Sequence, residues 1–152
     1  MGAAFNGSGH LIITLSDETA IDAGGAVVSA GGYKGIATPN CTGLYCYLGI
    51  TDIMLRWADP DDVVYGGAKL TEWQHTKLVR KIGSYPIDEN DGVLIKTNTV
   101  RNQHATSGLY DYDVELDTPY YYKLFPIAKS GAVNTAANNN YPAPQVLEDF
   151  PD

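Results

Sequence analysis

The feature that most constrains the fold of this chain is one strand, Asp52-Ile53-Met54-Leu55-Arg56-Trp57-Ala58-Asp59-Pro60. Ile53, Leu55 and Trp57 fall on one face and Met54 and Arg56 on the other, a period of two that predicts a strand with one buried side. A polar, proline-containing turn ends it at once. The second constraint is Val114-Glu115-Leu116-Asp117-Thr118-Pro119-Tyr120-Tyr121-Tyr122-Lys123-Leu124-Phe125. Here a tyrosine enters a late strand six residues after an apolar anchor, Val114. That spacing predicts that the Tyr120 phenol closes a loop by hydrogen-bonding to backbone just upstream. Together the two segments place Trp57 and Tyr120 in the interior between two antiparallel layers.

From residue 43 onward the chain reads as short strands separated by turns: 43–48, 52–58, 74–82, 93–96, 109–112, 120–128 and 132–137. Residues 59–67 and 98–106 read as loops, with Pro and Gly as breakers in the first. Short strands with regular turn signals suit an all-β, immunoglobulin-like sandwich spanning residues 40–137. Its expected core is Leu44, Ile53, Leu55, Trp57, Val114, Tyr120, Tyr122 and Leu124. No window shows helical periodicity.

Residues 1–39 read differently. They hold a strand at His10–Leu15 and an apolar stretch at Ala26–Ala30, and six glycines fall between residues 24 and 43. Such a segment is too short and too glycine-rich to form a core alone, so it reads as a β arm or hairpin that packs on the neighbouring domain or, as a subunit-contact region, on another subunit. Residues 138–152 contain three prolines and no alternation, and read as an extended tail, a linker or an arm docked on a partner.

Charge narrows the function classes. There are 18 Asp and Glu against 10 Lys and Arg, a net charge of −8. An acidic chain lacks the basic footprint that nucleic acid or an anionic membrane surface requires, so neither is expected as a partner. No stretch approaches the ~20 apolar residues that span a bilayer. The first residues lack basic groups and a long apolar run, so no secretory signal is expected. Only 18% of residues are charged, a polar but lightly charged composition common in extracellular and virion proteins. Cys41 and Cys46 stand five apart; on one strand that odd spacing turns them to opposite faces and predicts free thiols from a reducing cytoplasm, with no zinc site.

Residues that carry chemistry elsewhere are dispersed here. Asp59, Asp61 and Asp62 lack the spacing and the glycine of an EF-hand loop and read as a solvated acidic turn. Asp111, Asp113, Glu115 and Asp117 alternate along one side and read as charges that deter edge-to-edge pairing. His10, His75 and His104 share no ligand motif, and Ser84, Ser107 and Ser130 lie in turns without a GxSxG elbow. There is no phosphate loop or dinucleotide fingerprint. No catalytic residue, metal site or cofactor is therefore expected, and the chain does not read as an enzyme. By alternation Tyr121, Phe125 and Trp73 should point outward, where aromatic rings pack across strands on a polar sheet face, anchor a protein interface or stack on sugar rings.

Leu44, Ile53 and Leu55 leading into Trp57, Val114 before Tyr120, and the alternation of Tyr120, Tyr122 and Leu124 resemble the fibronectin type III domains over roughly residues 40–137. The closer likeness is to the variety found in tail, baseplate and fibre proteins of tailed bacteriophages and prophages. It is carried by Lys77–Pro86, the Asp91-Gly92 turn, Tyr120–Pro126 and the Ser130-Gly131 turn. Leu116-Asp117-Thr118-Pro119 departs from the family, in which a glycine-containing turn is more usual. The resemblance implies a structural or interaction protein of the virion, made in the bacterial host cytoplasm. It would be a tail, baseplate or fibre component, a capsid decoration or a head-fibre protein. Its partners would be other virion subunits, in homo-oligomeric or multi-copy arrangement, with β-augmentation through His10–Leu15 as the means of attachment. The alternative from a different class is a carbohydrate-binding or adhesion module that recognises a host-surface glycan.

Overall fold

The computed structural model describes residues 35–149 in full and, before them, the backbone of 2–5, 11–14 and 20–22. The chain divides into two compact units, Met1–Gly35 and Ile36–Asp152, so the boundary lies four residues before the expected one. In the first unit β1 (Gly2–Phe5), β2 (Leu11–Thr14) and β3 (Ala20–Asp22) form an antiparallel sheet in the order β1-β2-β3. The strand expected at His10–Leu15 is thus the central one. Both of its edges are already paired, which removes it as the site of β-augmentation. The apolar stretch at Ala26–Ala30 lies outside the described residues.

The second unit is all-β. Its strands are β4 (Thr42–Leu48), β5 (Ile53–Ala58), β6 (Val63–Tyr65), β7 (Ala68–Thr71), β8 (Trp73–Ile82), β9 (Val93–Asn98), β10 (Leu109–Asp111) and β11 (Tyr120–Ala128). They form two three-stranded antiparallel sheets, β10-β5-β4 and β11-β8-β9, and a β6–β7 hairpin. The hairpin occupies a segment that reads as a loop. Gly66 and Gly67 turn it with φ of 58° and 80°, the paired positive values that a two-residue hairpin turn requires.

The alternation of β5 drives the assembly. Ile53, Leu55 and Trp57 are buried at 0–1% exposure, while Met54, Arg56 and Ala58 are half-buried. Their apolar face meets Cys46 of β4 and, from the other sheet, Leu78 of β8 and Tyr120, Tyr122 and Leu124 of β11 in one core. Leu44 and Val114 are partly buried against it. Two sheets sharing one apolar interior is an arrangement consistent with a β-sandwich. Burying each large apolar side chain contributes about 1.5–3 kcal/mol, and this is the main force joining the sheets. The Tyr120 Oη accepts a hydrogen bond from the Glu115 backbone N–H at 2.9 Å. In the connection that follows Glu115, Asp117 adopts φ 56°, the left-handed region that favours glycine.

Three sequence expectations are corrected. No strand forms over 132–137 beyond a single bridge, Ile127 with Val133. Residues 138–149 are not a free tail. Tyr141 N bonds Tyr122 O at 3.0 Å, Gln145 and Tyr120 exchange bonds of 2.8 and 2.9 Å, and Leu147 enters the core. The physical reason is that β11 would otherwise leave one edge unpaired beside the core. Cys41 and Cys46 both point inward, because the β4–β5 register shifts between Thr42 and Tyr45 and the one extra residue there cancels the odd spacing.

Candidate interaction surface

Two of the buried ionisable groups pair across the sheets. Arg80 of β8 and Asp111 of β10, which belong to different sheets, form an ion pair with side chains 7% and 3% exposed. Arg80 Nη1 donates to Asp111 Oδ1 at 3.0 Å and Oδ2 at 2.8 Å and to the Asp113 carbonyl, and Tyr122 Oη donates to Asp111 Oδ2 at 2.8 Å. The guanidinium lies 4.8 Å from the Tyr120 ring centre. Burial works against the Arg80 charge, but the carboxylates of Asp111 and Asp113 outweigh it and hold its pKa above the ordinary value. Burial, and then the charge of Asp111, push the Tyr122 phenol well up. Asp111 is therefore not one of four outward charges guarding an edge; it faces inward and ties the sheets together.

The acidic turn is taken up in the same way. Asp59 is buried and accepts from Trp57 Nε1 at 2.9 Å, Asn98 Nδ2 at 2.7 Å and the Asn102 N–H at 2.8 Å. Asp62 accepts from the Trp73 N–H at 2.9 Å and from Arg101 at 2.6 Å, with Lys69 at 3.2 Å. The Trp73 N–H first, helped by Arg101 and Lys69, holds its carboxyl down at about 2. Asp59, Asp61 and Asp62 are thus not a simple solvated turn: two of the three anchor neighbouring segments. His104 packs against Trp57 with ring centres 5.0 Å apart and planes tilted by 40°, whereas His75 contacts Gln74, and His10 lies outside the described residues. Among the described residues no group of three His, Cys, Asp or Glu side chains is placed to hold a metal ion. Cys41 and Cys46 are free, and burial pushes both thiols up to about 12.

The three aromatics expected to face outward do not form a surface. Phe125 is fully buried and Trp73 is 7% exposed. Phe125 lies on a strand covered on both faces, since Lys123, Ile127 and Val79 on the same side are buried as well. The Lys123 ammonium, 5.2 Å from the Phe125 ring, donates to Thr135 O. Trp73 turns inward because the register of β8 with β11 shifts between Ile127 and Ala128, which makes Gln74 an extra residue. Its Nε1 donates to Thr76 Oγ1 at 2.8 Å. Tyr121 is half-buried, edge-on to Tyr85 with ring centres 4.8 Å apart.

The outward aromatic surface lies instead on the β10-β5-β4 sheet. Tyr47, Met54 and Tyr110 are paired across the three strands in one row. Tyr45 and Arg56 pair in the next, with the guanidinium 5.3 Å from the Tyr45 ring centre. Tyr112 follows Tyr110 and stacks on it at 5.8 Å and 13°. Tyr45, Tyr47, Tyr110 and Tyr112 are 46%, 57%, 48% and 70% exposed. Sequence reasoning passed over them although Tyr45/Tyr47 and Tyr110/Tyr112 repeat at the strand period of two. Tyrosine combines apolar area with a hydroxyl at low conformational cost, and with Arg and Met it is enriched where proteins bind one another. A separate cavity of about 530 Å³ lies between Tyr85, Leu44, Leu124 and the amides of Asn138 and Asn140. No family model, curated protein or solved structure matches the chain.

Proposed function

We propose that this chain is a non-enzymatic structural or interaction protein, whose second unit is a fibronectin type III-like sandwich acting through the outer face of its β10-β5-β4 sheet. The observation that carries this reading is the exposed row of tyrosines on a sheet whose other face is sealed in the core. The sheet order, Trp57 in the core and the Tyr120–Glu115 bond support the sandwich type. The buried carboxylates and Arg80 support a non-enzymatic role, because their hydrogen-bonding capacity is spent on the fold itself.

The particle context comes from the likeness of Lys77–Pro86 and Tyr120–Pro126 to tailed-phage tail, baseplate and fibre domains. In that context the sandwich is a multi-copy spacer or decoration held by other virion subunits. Mass-spectrometric inventory of particles purified from a culture carrying the gene tests this. The chain should co-purify with the particles in multiple copies. Its confinement to the soluble lysate would overturn the virion role. A second reading, a glycan-binding module, is favoured by the cavity at Tyr85, where an aromatic ring adjoins amide donors and acceptors.

A further inference from the structure

We infer that the tyrosine face is a self-complementary contact between two copies of this chain, related by a two-fold axis along the Tyr47–Met54–Tyr110 row. The inference rests on the reading of the chain as an interaction protein and names the partner of that surface. The face has three rows. The middle one is Tyr47, Met54 and Tyr110. On one side lie Tyr45 and Arg56, with Gly108 against the Met54 and Arg56 side chains. On the other side Gly49 lies beside Asp52, joined by a Gly49 N to Asp52 O bond of 2.9 Å, and Tyr112 stacks against Tyr110.

A two-fold axis along the middle row lays one outer row on the other. It sets Arg56 of each copy against Asp52 of its mate, Tyr45 against Gly49, and Tyr112 against Gly108. Charge meets opposite charge, and each ring meets a glycine over which a neighbouring side chain lies, Asp52 at Gly49 and Met54 at Gly108. That is the property an isologous interface needs, since the same patch must fit itself. Within one chain Asp52 and Arg56 are four residues apart along a strand and form no ion pair with each other. Low charge also matters, because two bodies each carrying −8 repel unless they meet where carboxylates are scarce or paired.

The size is adequate. A tyrosine side chain presents on the order of 200 Å². At the observed exposures the four rings, with Met54 and Arg56, offer roughly 500 Å² per copy. The pair would bury about 1,000 Å², the lower limit for a specific interface, so the dimer should be weak and reversible, as befits a contact completed within an assembly.

Sedimentation equilibrium of the full chain, from micromolar to near-millimolar concentration, tests the inference. A reversible monomer–dimer equilibrium is expected, with a dissociation constant on the order of 100 µM or tighter. Asp52→Arg and Arg56→Asp should each weaken it by about tenfold or more, since each places like charges together twice across the axis. The double reversal should restore it to within about threefold, because opposite charges again face each other. Should a reversal disturb the turn at Gly49, Tyr47→Thr with Tyr110→Thr keeps strand propensity and should abolish dimerisation. Concentration-dependent amide shifts confined to β4, β5 and β10 in the unmodified protein would support the same surface. A chain that stays monomeric overturns the inference while leaving contacts with other subunits open. A dimer in which the double reversal is no better than the singles overturns it, and so does a monomer whose tyrosine resonances shift only on adding a soluble polysaccharide such as dextran.

Discussion

Arg80 and Asp111 join the two sheets through a guanidinium nitrogen that contacts both carboxylate oxygens, at 3.0 and 2.8 Å, in a setting almost closed to water. Removing one partner leaves the other charged and buried. Asp111→Ala should therefore cost about 3–5 kcal/mol in urea denaturation. Replacing the pair together, Arg80→Met with Asp111→Leu, should cost clearly less, because no unpaired charge remains. Equal losses in the single and double variants would mean that the pair contributes packing rather than charge neutralisation.

The C-terminal segment belongs to the folded unit. Gln145 bonds Tyr120 in both directions, Tyr141 bonds Tyr122, and Leu147 is 2% exposed in the core. Truncation after Asn138 should remove these and lower stability by at least about 3 kcal/mol, as large core deletions do. Limited proteolysis of the intact chain should spare bonds between residues 36 and 147. Rapid cleavage near residue 138 with no loss of stability would contradict this.

The two thiols should be silent in the native state. Burial holds both near 12, far above the ordinary 9.0, so neither ionises at neutral pH. A thiol reagent at pH 8 should label neither until denaturant is added, then label both. Because the native pKa values lie above the unfolded ones, stability should fall as pH rises above 9, where only the unfolded chain gains thiolates. Cys41→Ala with Cys46→Ala should flatten that alkaline limb.

Asp62 sets an acid limb. Its folded-state pKa of about 2 lies below the ordinary 3.8, so its stabilisation is complete above pH 3.8 and is lost as pH falls toward 2. In Asp62→Asn, thermal midpoints measured across that window should depend less on pH than in the parent. An unchanged slope would mean that other carboxylates dominate acid unfolding.

How much of this was legible in the sequence depends on where pairing stayed regular. Ile53, Leu55 and Trp57 reveal their burial because β5 alternates without interruption. Tyr120 reveals its role because its hydrogen-bond partner, the upstream Glu115 N–H, is local. Cys41 and Trp73 mislead because a register shift beside each inverts the side its spacing predicts, and neither shift leaves a mark in composition. Phe125 misleads because alternation locates two faces but cannot say that both are covered. The tyrosine face was half legible. Each pair, Tyr45/Tyr47 and Tyr110/Tyr112, alternates visibly, but only the pairing of both strands with β5 makes one surface of residues more than sixty positions apart.

The central claim is that the sealed face of the β10-β5-β4 sheet holds the fold together and the open face does the binding. Hydroxyl-radical footprinting, read by peptide mass spectrometry on the dilute chain and on its assembled state, tests both halves at once. In the dilute chain Tyr45, Tyr47, Tyr110 and Tyr112 should be modified, and Tyr120 and Tyr122 spared. On assembly the first four should become protected. Undiminished modification of those four in the assembled state, or modification of Tyr120 and Tyr122 in the dilute chain, would contradict the account.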